Sequence, residues 1–248
     1  MRGGHRGLLL AFGLVLLAPP AWAYRPFVST DAAVADPGEM EIEVGYFALE
    51  HTKNENTVIA PKVVLNYGII RNLEVVGEFE VAKPSDKGAQ LLDPGLFLKA
   101  VLKEGFLQEK EGIGFAVEAG PLLPSTVQGE KRFGFEALTI LSGRLAPLIY
   151  HVNLGGGVDR TANPFAIWGV IVELPVLTNL RLVGEVNGES ARGRLPNSSG
   201  LLGLIWRPSS SAVFFDAGIR MGLSSGATDW QLTMGLTFSF PVLSSTTE

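Results

Sequence analysis

Glu39-Met40-Glu41-Ile42-Glu43-Val44-Gly45-Tyr46 places carboxylates at every second position and apolar side chains between them. Successive side chains of a strand point to opposite faces, whereas a helix would scatter these two sets around its circumference. The stretch therefore predicts a β-strand with one acidic and one apolar face. The same period of two returns further along the chain. Leu73, Val75, Gly77, Phe79 and Val81 oppose Glu74, Glu78 and Glu80, with Val76 the one apolar residue on the charged side. Leu180, Leu182, Gly184 and Val186 oppose Arg181, Glu185 and Asn187. Val213, Phe215, Ala217, Ile219 and Met221 oppose Asp216 and Arg220. Trp230, Leu232, Met234, Leu236, Phe238 and Phe240 oppose Asp229, Gln231, Thr233, Thr237 and Ser239.

Turn-forming residues divide the chain into twelve such segments: 38–50, 57–70, 73–83, 91–103, 112–123, 131–144, 147–158, 164–176, 180–190, 199–207, 211–223 and 228–240. Their connections fall into two alternating classes. One is mostly tight, as at Arg71-Asn72, Leu145-Ala146 and 208–210, with 104–111 the longest. The other is longer and more polar, as at 84–90, 125–130 and 191–198. An even number of strands with short turns at one end and longer loops at the other predicts an all-β, antiparallel up-and-down barrel whose termini share an end. An internal echo fits regular construction: Asn72 to Phe79 resembles Asn179 to Val186, which predicts equivalent places half a barrel apart.

Composition narrows the class. The 248 residues carry 20 Lys+Arg against 25 Asp+Glu, 30 Gly and no Cys, with a mean hydropathy of +0.26. Absent cysteine excludes disulfide scaffolds, thiolate chemistry and Cys-ligated metal centres. A net charge of −5 argues against a nucleic-acid partner, because phosphate neutralisation needs a basic face. The first 23 residues read as a leader. Arg2 and Arg6 precede the apolar run Leu8 to Ala18, and Ala21-Trp22-Ala23 is a small-x-small cleavage site, with cleavage expected before Tyr24. Residues 24–37 are then expected to form a periplasmic N-terminal segment, one that is long enough to fold over the lumen and whose entry into the barrel the sequence leaves open, with 38–240 the barrel and 241–248 a C-terminal tail.

Alternation alone does not say which face meets lipid. A soluble barrel buries its apolar face, and a membrane barrel turns it outward. Each segment of about 10 to 13 residues has the length of a tilted spanning strand. Aromatic residues also gather near strand ends. Tyr46, Phe133, Phe135, Phe165, Trp168 and Trp230 fall toward the longer-loop end, and Tyr67, Phe106, Trp206, Phe238 and Phe240 toward the tight-turn end, as two interfacial girdles would require. The charged face is acidic and glycine-rich, with few of the lysines that coat a soluble sheet. Both features predict a transmembrane barrel of an outer membrane, bathed in outer-membrane lipid.

The stretch Arg25-Pro26-Phe27-Val28-Ser29-Thr30-Asp31-Ala32, with Asp36-Pro37-Gly38 leading into the first strand, resembles the start of the "MetA-pathway of phenol degradation" family of bacterial outer-membrane barrels. Leu182 to Ser190 is similar to a second stretch of that family. The resemblance implies a transport role for small hydrophobic or aromatic solutes in a Gram-negative envelope. Thr233, Gly235, Phe238 and Phe240 also match the last-strand pattern that the barrel-assembly machinery recognises. That signal commonly ends a chain, and here eight residues, Pro241 to Glu248, follow it.

Enzymatic chemistry finds little support in the sequence. Beyond the leader only His51 and His151 remain, and His151-Val152-Asn153 lacks the His-x-Ser pair of membrane lipid hydrolases. Gly155-Gly156-Gly157 lacks the Gly-Lys-Ser/Thr that completes a phosphate loop. Glu39, Glu41 and Glu43 lie about 7 Å apart on alternate positions, too far to chelate one ion unaided. Neither a metal nor another cofactor is expected. The inward set instead contains Glu41, Glu43, Glu74, Glu78, Glu80, Glu118, Glu136, Glu173, Glu185 and Asp216 against Lys62, Lys99, Arg144, Arg181 and Arg220. A hydrated lumen of this kind favours cations or neutral solutes over anions. The expected function is a passive channel for small solutes. The alternatives are a closed structural barrel with a salt-bridged lumen and, third, a lipid-modifying enzyme.

Overall fold

A computed structural model describes residues 25–53, 55–208 and 211–242. The leader 1–23, Tyr24 and the tail beyond Val242 lie outside the described residues. Twelve strands follow one another in sequence: β1 (Glu39–Thr52), β2 (Glu55–Ile70), β3 (Leu73–Pro84), β4 (Gln90–Lys103), β5 (Gly114–Leu122), β6 (Gly134–Leu145), β7 (Leu148–Val158), β8 (Pro164–Leu177), β9 (Leu180–Ala191), β10 (Asn197–Trp206), β11 (Val213–Gly222) and β12 (Trp230–Pro241). A 3-10 turn, Phe106–Gln108, interrupts the β4–β5 connection. Every strand pairs antiparallel with its sequence neighbours, and β1 pairs with β12 from Glu39↔Pro241 to His51↔Trp230, which closes the barrel. Closure leaves no edge strand with unpaired backbone groups, a requirement inside lipid. The echoed segments fall on β3 and β9, six strands apart in the ring of twelve.

Side-chain direction settles the question that alternation left open. On β12, Leu232 and Met234 are 44% and 42% exposed while Thr233 between them is 7% exposed. On β9, Leu182 and Val186 face outward and the Glu185 carboxylate is buried. Apolar groups cover the outside and polar groups the inside, the inverse of a soluble barrel. On that outer face Trp168 lies across Gly188, its register partner on β9, so the indole occupies the space that a side chain on Gly188 would need. Phe133, Phe135, Trp168 and Trp206 are outward and exposed. Two members of the expected girdles are placed differently. Phe165 shares the inward parity of Ile171 and Glu173 and borders the lumen, and Phe106 sits in the 3-10 turn beside it.

Two register shifts change which residues face inward. Pairing slips between Val44 and Phe47 on β1 and between Ile59 and Lys62 on β2. Glu39, Glu41 and Glu43 therefore share the inner face with Ala48 and Glu50, on the far side of the bulge. Buried apolar clusters lie inside the barrel, two of them toward the tight-turn end and a third, Ala48, Ile59 and Ala82 with Leu92, nearer the long loops. One cluster joins Phe27 to Ile171, Val183, Leu201, Ile205 and Phe214. A second joins Ala32 to Val101, Ala116, Leu138 and Ile140, with Val34, Leu107 and Ile167 against it. Both clusters take in residues that precede β1, so this N-terminal stretch is packed within the barrel. Burying Phe27 alone contributes about 1.5–3 kcal/mol to holding it there.

Candidate functional site

Residues 25–37 are irregular, and their backbone N–H groups have no ladder to join. A buried N–H without an acceptor is costly, so each must find one on the wall. Several do so, in nearly the angular order of the strands. At the root, Gly38 N–H donates to Gly68 O of β2 at 2.8 Å. Ala35 N–H donates to Glu74 Oε2 of β3 at 2.7 Å. The Asp31 carboxylate lies 3.6 Å from Lys99 Nζ of β4, which also faces Glu74 at 3.4 Å. Ala32 N–H reaches Ser142 Oγ of β6 at 2.9 Å. Thr30 N–H donates to Asn153 Oδ1 of β7, and Asn153 Nδ2 returns a bond to Thr30 O. Ser29 N–H and Val28 N–H both donate to the Glu185 carboxylate of β9, at 2.7 and 3.1 Å. Arg25 reaches Thr233 of β12 at 3.0 Å and Asp216 of β11 at 3.5 Å. The segment is thus a ring that travels almost fully round the inner wall.

The wall is cut back where the ring passes. A Cβ on Gly68 would lie 2.1 Å from Asp36 O, one on Gly169 would lie 1.9 Å from Ser29 Oγ, and one on Gly235 would lie 2.2 Å from Arg25 Nε. The clash at Gly68 is with ring backbone, so glycine there is a condition of the ring's seating, while a side chain at Gly169 or Gly235 would displace the Ser29 or Arg25 side chain. Thr233 and Gly235 of the expected assembly signal are therefore the seat of the Arg25 side chain, while Phe238 and Phe240 stack on one another with centroids 6.2 Å apart.

Behind the ring lies a polar relay that sequence inspection does not find. Ser142 and His151 are register partners on β6 and β7, and Ser142 Oγ lies 2.8 Å from His151 Nδ1. His151 Nε2 lies 3.1 Å from Glu173 Oε1 of β8, and Arg181 of β9 donates to Glu173 Oε2 at 2.6 Å. The chemistry is that of a serine–histidine–carboxylate array, but Ser142 and His151 have no exposed surface, and Ser142 Oγ receives Ala32 N–H. The array braces the wall and holds the ring.

Beside the ring a cavity of about 1130 Å³ runs through the barrel. Its border includes Glu130, Asp159 and Arg194 at the long-loop end and Glu39, Arg71 and Glu109 at the tight-turn end. Glu41, Glu43 and Glu74 border it near the level of the ring, and Glu43 accepts a bond from Asn66. Lys62, Glu78, Glu80, Glu118 and Glu136 border it nearer the long loops, where Lys62 lies 3.6 Å from Glu80. Arg220 also borders it and donates to Glu185 at 2.6 Å. Glu185, Asp216 and Arg181 face inward without bordering the cavity: Glu185 and Asp216 contact the ring, and Arg181 pairs with Glu173. The sequence reading missed Glu50, beyond the β1 bulge, and Asp93, Arg160, Glu189 and Arg194 at the mouth. Sixteen carboxylates and seven cationic side chains border this space, so most of the chain's 25 acidic residues are concentrated around it.

Loop ion pairs shape both mouths. Arg160 pairs with Asp93 at 3.0 Å and donates to the Leu123 and Pro94 carbonyls. Asp159 caps its own loop by accepting from the Thr161 and Asn163 amides, and it pairs with Arg194 at 2.7 Å. Burial alone would raise its pKa, but these donors and the guanidinium outweigh it and hold the carboxyl below its usual value. At the opposite mouth, hydrogen bonding from Asn72 and then the Arg71 charge hold Glu104 below the usual carboxylate range. Among the described residues, no group of three or more His, Asp or Glu side chains is arranged to hold a metal ion.

No known protein family matches the sequence, and no curated protein matches it either. The fold does have counterparts. The COG4313 outer membrane channel from Pseudomonas putida F1 superposes with a TM-score of 0.60 at 7% identity, over 84% of this chain and 97% of that one. The NanC porin superposes with a TM-score of 0.56 at 7% identity, over 80% of this chain and 98% of the porin. At such identities the likeness is one of architecture, and the chain has the antiparallel closed-barrel fold that these two outer-membrane proteins share.

Proposed function

We propose that the protein is an outer-membrane channel that passes small solutes passively, preferring cations and neutral molecules to anions. The observation that carries this reading is the cavity whose border reaches both mouths and holds sixteen carboxylates against seven cations. Glu78, Glu118 and Glu136 all border this space, on neighbouring stretches of β3, β5 and β6. Unbalanced charge on the walls of a narrow aqueous path selects ions by sign. The cavity exceeds the roughly 300–1,000 Å³ of pockets that enclose drug-sized ligands. Leu122, Leu138, Phe165 and Ile167 form an apolar strip on its border, which supports the hydrophobic or aromatic solutes implied by the resemblance to the phenol-degradation family.

In this reading the long loops face outward, the tight turns face the periplasm, and the exposed apolar belt meets outer-membrane lipid. The leader directs export, and β12 presents the assembly signal to the barrel-assembly machinery. The ring narrows the lumen on the periplasmic half. Planar-bilayer recording in a KCl gradient tests the proposal, with cation-selective steps expected.

The concentration of ion pairs at the ring favours one other reading, a closed structural barrel. Lys99 with Asp31 and Glu74, Arg220 with Glu185, and Arg181 with Glu173 form a charged inner core. That reading predicts that Arg181→Met lowers heat resistance and that neither the parent nor the variant conducts.

A further inference from the structure

Gly155-Gly156-Gly157 lies on β7 between two strands that carry large side chains, and register shows what the glycines leave open. On the inner face Gly157 pairs with Glu136 of β6 and Phe165 of β8, and Gly155 pairs with Leu138 of β6 and Ile167 of β8. Adjacent strands stand about 4.8 Å apart, and inward residues follow each other at about 7 Å along a strand. Glu136, Leu138, Phe165 and Ile167, all on the border of the cavity, therefore frame a groove about 10 Å across to which β7 adds no side chain. One end of it is apolar and fixed. Leu138 leans over Gly155, its Cδ1 only 2.9 Å from where a Cβ would sit, and Leu138 and Ile167 belong to the cluster around Ala32 and Ile140. At the other end Glu136 and the half-buried Phe165 stand on either side of Gly157. Two more carboxylates flank the apolar end, Glu118 as the register partner of Leu138 and Glu189 as that of Ile167. Cations stand next to both: Lys99, which also meets Asp31 and Glu74, pairs in register with Glu118, and Arg194 lies 4.0 Å from Glu189.

We propose that this groove binds a primary arylalkylammonium ion, with its ammonium between Glu136 and Phe165 and its apolar body on Leu138 and Ile167. Each part of that occupant answers a named surface. An ammonium is drawn by the Glu136 carboxylate and by the π-electrons of Phe165. The step of about 7 Å from Glu136 to Leu138 along β6 suits an aromatic ring two carbons from the nitrogen. A hydrated metal ion gains nothing from Leu138 and Ile167, a neutral aromatic solute gains nothing from the carboxylates, and an anion is repelled by them. The inference rests on the acid-bordered cavity of the proposed channel and names the solute class that such a channel favours.

Isothermal titration calorimetry of the full barrel in non-ionic detergent, with protein-free micelles as the reference, compares phenethylammonium with three probes. Ethylammonium lacks the ring, 2-phenylethanol lacks the charge, and 3-phenylpropionate reverses its sign. Phenethylammonium should bind about tenfold to a hundredfold more tightly than ethylammonium or 2-phenylethanol, and 3-phenylpropionate should not bind. Glu136→Gln should weaken its binding about tenfold and Phe165→Ala about three- to tenfold, each in a barrel that keeps its heat-modifiable gel mobility. Equal affinity for phenethylammonium and 2-phenylethanol would overturn the site, as would an affinity unchanged in both variants. Planar-bilayer recording of the same preparation separates this from the channel itself. A barrel that passes potassium but discriminates none of the probes overturns the site and leaves conduction standing, whereas one that binds phenethylammonium as expected but passes no current upholds the site and overturns conduction.

Discussion

Glu185→Gln tests the ring with minimal change of shape. The Glu185 carboxylate accepts from Val28 N–H at 3.1 Å, from Ser29 N–H at 2.7 Å and from Arg220 at 2.6 Å. Every neighbour is a donor. A carboxamide keeps one acceptor oxygen, and its NH2 group must then point at one of those donors. Arg220 retains Ser199 Oγ as a partner, so the larger loss falls on the ring. Losing one charge-assisted bond and weakening another costs about 2–3 kcal/mol, which corresponds to about a 30- to 150-fold larger open fraction of the segment. Hydrogen exchange read by mass spectrometry on peptides covering residues 25–36 measures this directly, because local opening sets their exchange. The same peptides should be unaffected in Glu136→Gln, whose carboxylate borders the cavity away from the ring. Equal protection in Glu185→Gln and the parent barrel would refute the claim that wall carboxylates hold the ring.

Other expectations follow from the same geometry. Gly68→Ala places a Cβ 2.1 Å from Asp36 O, so it should loosen residues 33–37 in exchange experiments while the folded barrel keeps its gel mobility. Lys99→Met leaves Asp31 and Glu74 facing each other without their shared cation and should lower the unfolding free energy in lipid vesicles by about 3–5 kcal/mol; an unchanged denaturant midpoint would contradict it. Asp159 has a lowered folded-state pKa, so its stabilisation is complete above its unfolded value of about 3.9 and is lost as pH falls through the lowered one. Amide exchange at Thr161 and Asn163, corrected for intrinsic rates, should accelerate on acidification below that value and stay flat above it.

The wall was legible because a two-faced strand writes its faces into alternate residues. Each of the twelve segments expected from Glu39 onward begins and ends within three residues of a strand. The direction of the acidic residues was legible for the same reason, as at Glu74, Glu78 and Glu185. What alternation cannot carry is a contact between distant strands. Val28 finds its acceptor 157 residues away on Glu185, and Thr30 finds Asn153 at a separation of 123. The sequence therefore left open whether the irregular segment before β1 enters the barrel, and residues 25–37 are found packed inside the wall. The Ser142–His151 pair was hidden similarly: its members face each other only through the β6–β7 register. Glu50 was missed because the bulge between Val44 and Phe47 exchanges the two faces, and nothing in a period of two announces such a slip. Phe165 was assigned to a girdle by its place near a strand end, where parity would have turned it inward.

The proposed channel is an acid-lined path through the barrel, narrowed by residues 25–36. Single-channel recording of the refolded barrel, with and without that segment, tests it in one preparation. Cation-selective steps in a KCl gradient are expected for the intact chain, and larger steps, still cation-selective, after deletion. A deletion variant that folds to a heat-modifiable barrel yet passes no current, or one whose current is carried by chloride, would contradict it.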